Sequence, residues 1–524
     1  MNGIADHLDD LMRPEAWPQP VSRIQRIETH ISWVFLTGEY AWKIKKPVDL
    51  GFLDFSTPEK RRFFCEEELR LNRRLAPELY LSVDTVCLHE GRLHVGGEGQ
   101  VVDYAVRMRQ FDPEQQLDRM LARGELQASH IDALARHIAR FHAEVAVAGE
   151  DQPWGDVEHV LEPMLANFAH IRQCAVLPPD DPRLAELEQW TRAQGAALAE
   201  RLAQRKAEGF IRECHGDLHL GNMALMGGEV VAFDCLEFNP SLRWIDIISE
   251  VAFTVMDLED RGARGLAQGF LDGWLTHGGD YGGVALLDFY KVYRAMVRAK
   301  VNAIRQQQLG DDAAAREAAQ KEVAAYLGMA QAYTQAARSA APVLVLTHGL
   351  SASGKSTVSG ALLEHARAIR LRSDVERKRL FGLAPEARSA SGVAAGIYDA
   401  EATARTYGRL RELAAELLAS GYAVIVDAAF LRREQREAFY ALAGESRVPC
   451  VVLDLTAPEA ELRRRISTRR GDASEADLKV LEHQLQSAVP LSDEELSAAG
   501  ARRVRVDSTR PLEAQALARE VGLA

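Results

Sequence analysis

The stretch VLVLTHGLSASGKSTVSGALLEHA, Val343 to Ala366, leaves the polypeptide few choices. VLVLT is a short apolar strand and TVSGALLEHA has the spacing of a helix. GLSASGKS between them matches GxxxxGK[ST] in full. A strand that turns into a helix through such a loop is built to hold phosphate. Gly349 and Gly354 let backbone N–H groups turn inward, and the helix start offers its positive end to an anion. Lys355 is placed to reach the β and γ phosphates of ATP and Ser356 to ligate Mg²⁺, with Ser351, Ser353 and Thr357 completing the cradle.

The pattern continues downstream. VIVDAA (424–429), CVVLDL (450–455) and VRVD (504–507) are further apolar strands separated by helical segments. This alternation predicts a parallel α/β sheet with right-handed crossovers over 342–524. Asp427 ends one strand, where a carboxylate can stand near Mg²⁺. In RLRSDVERKRLFG (370–382), Asp374 follows a short strand and Arg377 comes three residues later. Such a carboxylate can orient or deprotonate a hydroxyl, and the guanidinium can hold an anionic group. SDVERKRL also reads as a helix start capped by Asp374. In the basic helix and loop ELRRRISTRRGDASEADL (461–478), Arg465 and Arg469 lie one turn apart and can clamp transferring phosphates. A solvated face at Arg463 to Arg465 is the alternative.

A chain of 524 residues exceeds what one core serves. An Ala-rich helical stretch at 309–341 separates the α/β region from a different one, so domains are expected at 1–338, divided near 112, and at 342–524. No run approaches the roughly 18 apolar residues of a membrane span, and the acidic first segment shows no signal peptide. Six scattered cysteines without a CxxC pair read as reduced thiols of a cytoplasmic protein. A net charge of −13 argues against a general nucleic-acid binder. From Pro342 onward 26 Lys+Arg face 25 Asp+Glu, so the acidity belongs to the first two-thirds. Oligomeric state has no signature.

The first two-thirds predicts a mixed α+β domain. HISWVFLTGEYAWKIKK (30–46) reads as a hairpin turning at Thr37-Gly38-Glu39, and a helix follows at 57–75 with Pro58 in its first turn. Strands are expected at 81–88, 92–95 and 100–109, and mainly helix from 113 to 210 and from 241 to 338. HGDLHLGN (215–222) precedes a hairpin, MALMGGEVVAFD, that turns at Gly227-Gly228. Phosphoryl transfer needs a carboxylate near the acceptor hydroxyl and oxygen ligands for Mg²⁺. Asp217 suits the first role; Asn222 and Asp234 suit the second. His215 and His219 form an HxxxH, but the flanking glycines argue for a loop, and a structural role suits His215 better than a metal pair. A phosphate-binding lysine can come from Lys43, Lys45 or Lys46, and its acidic partner from Glu66, Glu67 or Glu68. Glu237 reads equally as a site acid or a solvated one.

These residues, over roughly 20–335, resemble the aminoglycoside phosphotransferase family, relatives of the protein kinases. The resemblance implies that Asp217 is the catalytic base, that Asn222 and Asp234 bind Mg²⁺, that Lys43 is the phosphate lysine with Glu68 its partner, and that VRMRQF (106–111) is the adenine hinge. The sequence departs from kinases before Lys43, where THIS (29–32) stands in place of a glycine-rich loop. Residues 342–524 resemble P-loop small kinases such as gluconate kinase, chloramphenicol phosphotransferase, the polynucleotide 5′-kinase and zeta toxins, with 461–478 as the lid. The domain order is similar to bacterial proteins described as bifunctional aminoglycoside phosphotransferase/ATP-binding. The implied activity is ATP- and Mg²⁺-dependent phosphorylation of small hydroxylated molecules at two sites. The alternatives are a regulatory pseudokinase joined to an active P-loop kinase, or a toxin-like or nucleic-acid 5′-end kinase. Lys291, Arg294, Arg298, Asn302 and Arg305 share one helical face, which reads first as solvated; lining a pocket, it would favour an anionic acceptor.

Overall fold

The computed structural model describes residues 4–523 apart from 50, 52, 179–180, 309–311, 340, 390, 392–394 and 469–473. They form two compact units. The first takes 1–137, 141–163 and 195–257; the second takes 138–140, 164–194 and 258–524.

In the first unit, β1 (Gln25–Glu28), β2 (Ser32–Leu36), β3 (Tyr40–Lys45), β4 (Tyr80–His89), β5 (Arg92–Val95) and β6 (Gln100–Arg109) make one antiparallel sheet, ordered β1-β2-β3-β6-β4-β5. The β2–β3 turn falls where it was predicted, with Gly38 at φ +97°. One sheet face buries Trp33, Phe35, Trp42 and Ile44 against Trp17. Helix α1 (Pro58–Asn72) starts as its sequence requires: Thr57 accepts the N–H of Lys60, and Pro58 takes a position whose N–H would have no partner. Arg61 locks α1 to the sheet. Its Nε donates to both oxygens of Asp103 at 2.9 Å, and Nη1 donates to the Phe55 carbonyl at 2.9 Å, all buried.

Helices α2 (Leu117–Ala122), α3 (Ala128–Glu144), α4 (Val157–Gln173), α5 (Pro182–Ala197) and α6 (Ala199–Ala207) follow. Then come β7 (Ile211–Glu213), β8 (Met223–Met226), β9 (Glu229–Ala232), β10 (Trp244–Asp246) and α7 (Ile247–Asp260). β8 and β9 form the expected hairpin, with Gly227 at φ +59° and Gly228 at φ +89°, the two left-handed positions this turn demands. β10 pairs with β7 inside a stretch predicted as helix. Three residues are too few for alternation to show.

In the second unit, helices α8 (Arg264–Gly278), α9 (Leu287–Gln308) and α10 (Ala313–Arg338) precede a second sheet. There β11 (Leu344–His348), α11 (Lys355–Leu363), β12 (Ala368–Arg372), α12 (Ser373–Leu380), α13 (Ala400–Ala419), β13 (Ala423–Asp427), α14 (Arg433–Ser446), β14 (Cys450–Thr456), α15 (Glu459–Thr468), α16 (Leu478–Ser487), α17 (Asp493–Ala499), β15 (Arg502–Asp507) and α18 (Ala514–Glu520) alternate as predicted. The five strands are all parallel, in the order β12-β13-β11-β14-β15. β11 is therefore central. Its carboxyl end, where ligands bind in such sheets, carries the phosphate loop.

The stripe on α9 is not a solvated face. Lys291, Arg294 and Asn302 are buried and only Arg305 is exposed. Lys291 pairs with Glu259 at 2.8 Å and lies 4.0 Å from the ring centre of Tyr333 on α10. Spacing identified the face but could not say that another helix would cover it. The six cysteines are free thiols, and among the described residues no helix is long and apolar enough to cross a membrane.

Removing one partner of a buried ion pair strands the other. Asp103→Ala is expected to cost about 3–5 kcal/mol, read as a lower denaturant midpoint, whereas Glu66→Ala at the exposed Arg62–Glu66 pair costs about 0–1 kcal/mol.

Candidate active sites

The site in the first unit is a chain of buried charges. Lys43 Nζ donates to Glu68 Oε1 at 2.8 Å and to Asp234 Oδ1 at 2.6 Å. Lys45, two residues along the same strand face, donates to Glu68 Oε2 at 2.7 Å and to Glu237. Both lysines thus meet Glu68, and Lys43 alone of the two also contacts Asp234. Burial opposes the charge on Lys43, but Asp234, Glu68 and Glu237 outweigh it and hold its pKa well above the usual range. Burial likewise opposes ionisation of Glu68, yet two ammonium groups face it and its pKa falls. At Glu237 burial wins over Lys45 and the pKa rises. Glu237 is 4% exposed, so it is not a solvated acid.

Asp234 follows β9 with its backbone at φ +62°, a region costly for a residue other than glycine. Its N–H donates to the Tyr80 hydroxyl at 3.2 Å, and the next N–H, of Cys235, donates to Asn72 Oδ1 at 2.9 Å. The end of α1 and the start of β4 therefore aim this carboxylate.

HGDLHLGN is a loop, as its glycines predicted. Asn222 Nδ2 donates to Asp217 Oδ2 at 3.0 Å, bringing carboxylate and amide together. The loop hangs from one face of α7. Glu250 accepts the N–H of Gly216 at 2.7 Å, the Thr254 hydroxyl donates to the Leu218 carbonyl at 2.8 Å, and Asp257 accepts the N–H of Leu220 at 2.9 Å. These α7 residues stand at i, i+4 and i+7. Sequence reasoning missed them, although polar groups at that spacing in the apolar run IISEVAFTVMD were the available signal. His215 Nε2 meets the Phe233 carbonyl at 2.8 Å and Nδ1 meets the N–H of Asp217 at 3.3 Å. Burial lowers its pKa, so the ring is neutral and structural.

The second site wraps the end of β11. Gly349 approaches the backbone so closely that a Cβ would stand 2.6 Å from the Leu455 carbonyl and from Ser353 Oγ. Gly354, at φ +89°, starts α11. Lys355 Nζ donates to the carbonyls of Gly349 and Leu350 at 3.0 and 2.8 Å. Among the described residues, Ser353 Oγ is buried without a hydrogen-bond partner. That orphaned hydroxyl, the glycine cradle and the helix start fit a nucleotide phosphate. At the first site, the oxygen donors Asp234 and Asn222 suit a hard cation such as Mg²⁺.

A cleft of about 1490 Å³ joins the loop to a second set of groups. Its lining includes Ser351, Gly354, Lys355, Ser356 and Thr357 of the loop and helix start, and Asp374, Arg377 and Tyr398 from further along the chain. Asp427 ends β13 inside it and accepts from the Ser359 hydroxyl at 3.2 Å. Asp374 is not the cap of α12; that position is Arg372, whose side chain makes no capping hydrogen bond. Burial raises the pKa of Asp374 despite Arg377, Ser474 and Arg372. Arg465 is drawn to the loop, donating to the Ala352 carbonyl at 3.2 Å and to Ser508 Oγ at 2.9 Å. Arg463 pairs with the exposed Glu459, while Arg464 and Arg465 share the half-buried Glu461 at 2.7 Å. Arg469 lies outside the described residues.

Residues 55–287 match the Phosphotransferase enzyme family and residues 344–491 an AAA domain family. Two mycobacterial proteins, Rv2004c of Mycobacterium tuberculosis and Mb2027c of Mycobacterium bovis, are each 31% identical to this chain over 453 residues, 86% of it and 88% of theirs. The chain belongs to their family, which joins a phosphotransferase domain to a P-loop kinase-like domain. Among solved structures, an ethanolamine kinase of Plasmodium vivax aligns with 59% of the chain and 84% of its own length at 9% identity and a TM-score of 0.37. A gluconokinase from Sinorhizobium meliloti 1021 aligns with 34% of the chain and 90% of its own at 23% identity and a TM-score of 0.24.

For a member of this family the phosphate cradle has a sharp test. Gly349→Ala forces the loop off the Leu455 carbonyl, so ATP affinity at this site should fall by at least about tenfold, or about 1.4 kcal/mol, in titration calorimetry.

Proposed function

We propose that the chain is a phosphotransferase with two ATP-using sites, each passing the γ-phosphate to a hydroxyl of a small molecule. The observation that carries this reading is the shared cleft of the second unit. An ATPase needs a phosphate loop and a water; this cleft is also lined by a half-buried carboxylate, Asp374, and a buried guanidinium, Arg377, together with Lys355 and Ser356. In the mechanism we infer, Asp374 holds the acceptor hydroxyl and takes its proton, Arg377 and Arg372 attract an anionic substituent, and Lys355 leaves the loop carbonyls for the phosphates. Mg²⁺ would be held through Ser356 and Asp427 and would neutralise charge on the transferring group. In the first unit, Asp217 takes the corresponding proton and Lys43, released from Asp234, meets phosphate while Glu68 keeps it in place.

One observation favours a second reading for the first unit, binding without transfer. β1 and β2 are joined by Thr29-His30-Ile31 alone, closed by the Thr29 N–H on the Ser32 carbonyl at 2.9 Å. A turn this short offers little to cover a triphosphate.

Single replacements separate the readings in an ATP-consumption screen over a panel of small metabolites. Asp217→Ala should abolish one acceptor-dependent activity and Lys355→Ala another; full turnover of every acceptor in Asp217→Ala decides for the binding-only reading. Labelled phosphate on oligonucleotide 5′ ends would replace the small acceptor by nucleic acid.

The second site also predicts a pH profile. Asp374 must be ionised to accept a proton, and its pKa is raised, so Lys355-dependent transfer should fall with decreasing pH through a value above that of an ordinary aspartate, about 3.9. An acid limb at or below that value in kcat/KM would assign the proton to another group.

A further inference from the structure

Helix α8 lies within the segment matched to the phosphotransferase family and, with the whole P-loop region, in the second compact unit. Its side chains and carbonyls bond to β12 and α12, two elements that contribute other residues to the lining of the P-loop cleft. Asp272 on α8 binds the guanidinium of Arg370 on β12, with Nε to Oδ1 at 3.2 Å and Nη2 on Oδ2. The third nitrogen of the same fork, Nη1, donates to the carbonyl of Ser356 at 3.1 Å and to Ser359 Oγ at 3.3 Å. Ser359 in turn donates to Asp427. Gly360 makes room for the arrangement, since a Cβ there would stand 3.1 Å from Arg370 Nη1. At its other end, α8 presents the carbonyls of Leu275 and Thr276 to Arg379 Nη2 at 3.3 and 2.6 Å. Arg379 belongs to α12, the helix that carries Asp374 and Arg377. The turn after α8 is shaped for it: Gly279 is left-handed at φ +79°, and a Cβ there would meet Arg379 Nε at 2.6 Å.

We propose that α8 is a working part of the P-loop site, with Asp272 as the positioning residue that holds Arg370 on the phosphate-loop helix and away from Asp427. The inference rests on the reading of that loop as a nucleotide site. Its physical core is competition for one guanidinium. Arg370 is nearly dehydrated, and Asp427 is the other carboxylate acting on it. A buried guanidinium that loses its partner seeks another. Drawn to Asp427, it would spend the negative charge that belongs near the metal and would drop the carbonyl of Ser356, shifting the hydroxyl beside it. Arg379 does for the acceptor helix what Arg370 does for the phosphate helix, so one helix sets the distance between the two. The P-loop region then depends for its catalytic geometry on a helix from the domain before it.

The test is ADP binding to the full chain by titration calorimetry, with and without Mg²⁺, following the component that Lys355→Ala removes. Asp272→Asn, nearly isosteric, should weaken that component about tenfold, with the greater loss in Mg²⁺. Arg370→Lys, which keeps the charge but loses the fork, should do the same. Asp272→Glu, which keeps the carboxylate, should restore most of the affinity. If Asp272→Asn lowers the thermal midpoint but binds ADP as the unmodified chain does, Asp272 is only structural and the inference is overturned while the nucleotide site stands. If Lys355→Ala removes no ADP-binding component, the nucleotide site falls and the inference falls with it.

Discussion

Glu250 accepts the N–H of Gly216 in the interior of the first unit, and the catalytic loop takes its shape from that bond and its two neighbours on α7. A loop of eight residues has many backbone states, and Asp217 and Asn222 meet in few of them. Fixing the backbone at residues 216, 218 and 220 leaves little freedom between the anchors. The cost of ordering the loop is thus met during folding. His142 holds Glu250 from the other side at 2.8 Å; burial opposes the charge on this carboxylate, but the bonds from His142 and the Gly216 N–H outweigh it and lower its pKa.

The two units solve one electrostatic problem by different means. Phosphates repel one another and need positive charge held in place before they arrive. In the first unit the charge is on side chains: two lysines share Glu68, and Asp234 and Glu237 balance them. In the second it is mostly on the backbone, through N–H groups at the start of α11, and Lys355 adds a mobile charge that rests on the loop's own carbonyls. Lysine–carboxylate clusters require several chain segments to converge. A phosphate loop is nearly complete within one strand, one turn and one helix, which is why GLSASGKS was legible at once.

Much of the first site was also legible in pieces. The glycine turns at Gly38 and Gly227-Gly228 need left-handed backbone, so both hairpins were visible from composition alone. Asp217 and Asn222 share a short loop and were paired on the page. Strand alternation could not rank Lys43 against Lys45, because residues two apart face the same way. The structure uses both, and separates them by what lies opposite: Asp234 for Lys43, Glu237 for Lys45. The burial of α9's basic stripe, the strand β10 and the anchors on α7 were not read. Each depends on a partner distant in sequence, and a periodicity names a face without naming its neighbour.

The sequence by itself determined the local devices: a phosphate loop between strand and helix, a parallel α/β alternation after Pro342, two glycine hairpins, and a loop carrying an acid and an amide. These follow from bond rotation, side-chain period and the chemistry of a few contiguous residues. Tertiary structure decided which lysine meets which carboxylate, that Asp374 and Lys355 line one cleft, that Arg465 reaches the loop carbonyl of Ala352 while Arg463 pairs with the exposed Glu459, and that Arg370 lies between Asp272 and Ser356. Those pairings bring together residues up to about two hundred positions apart, and their strength comes from the loss of water around them, which no linear pattern records.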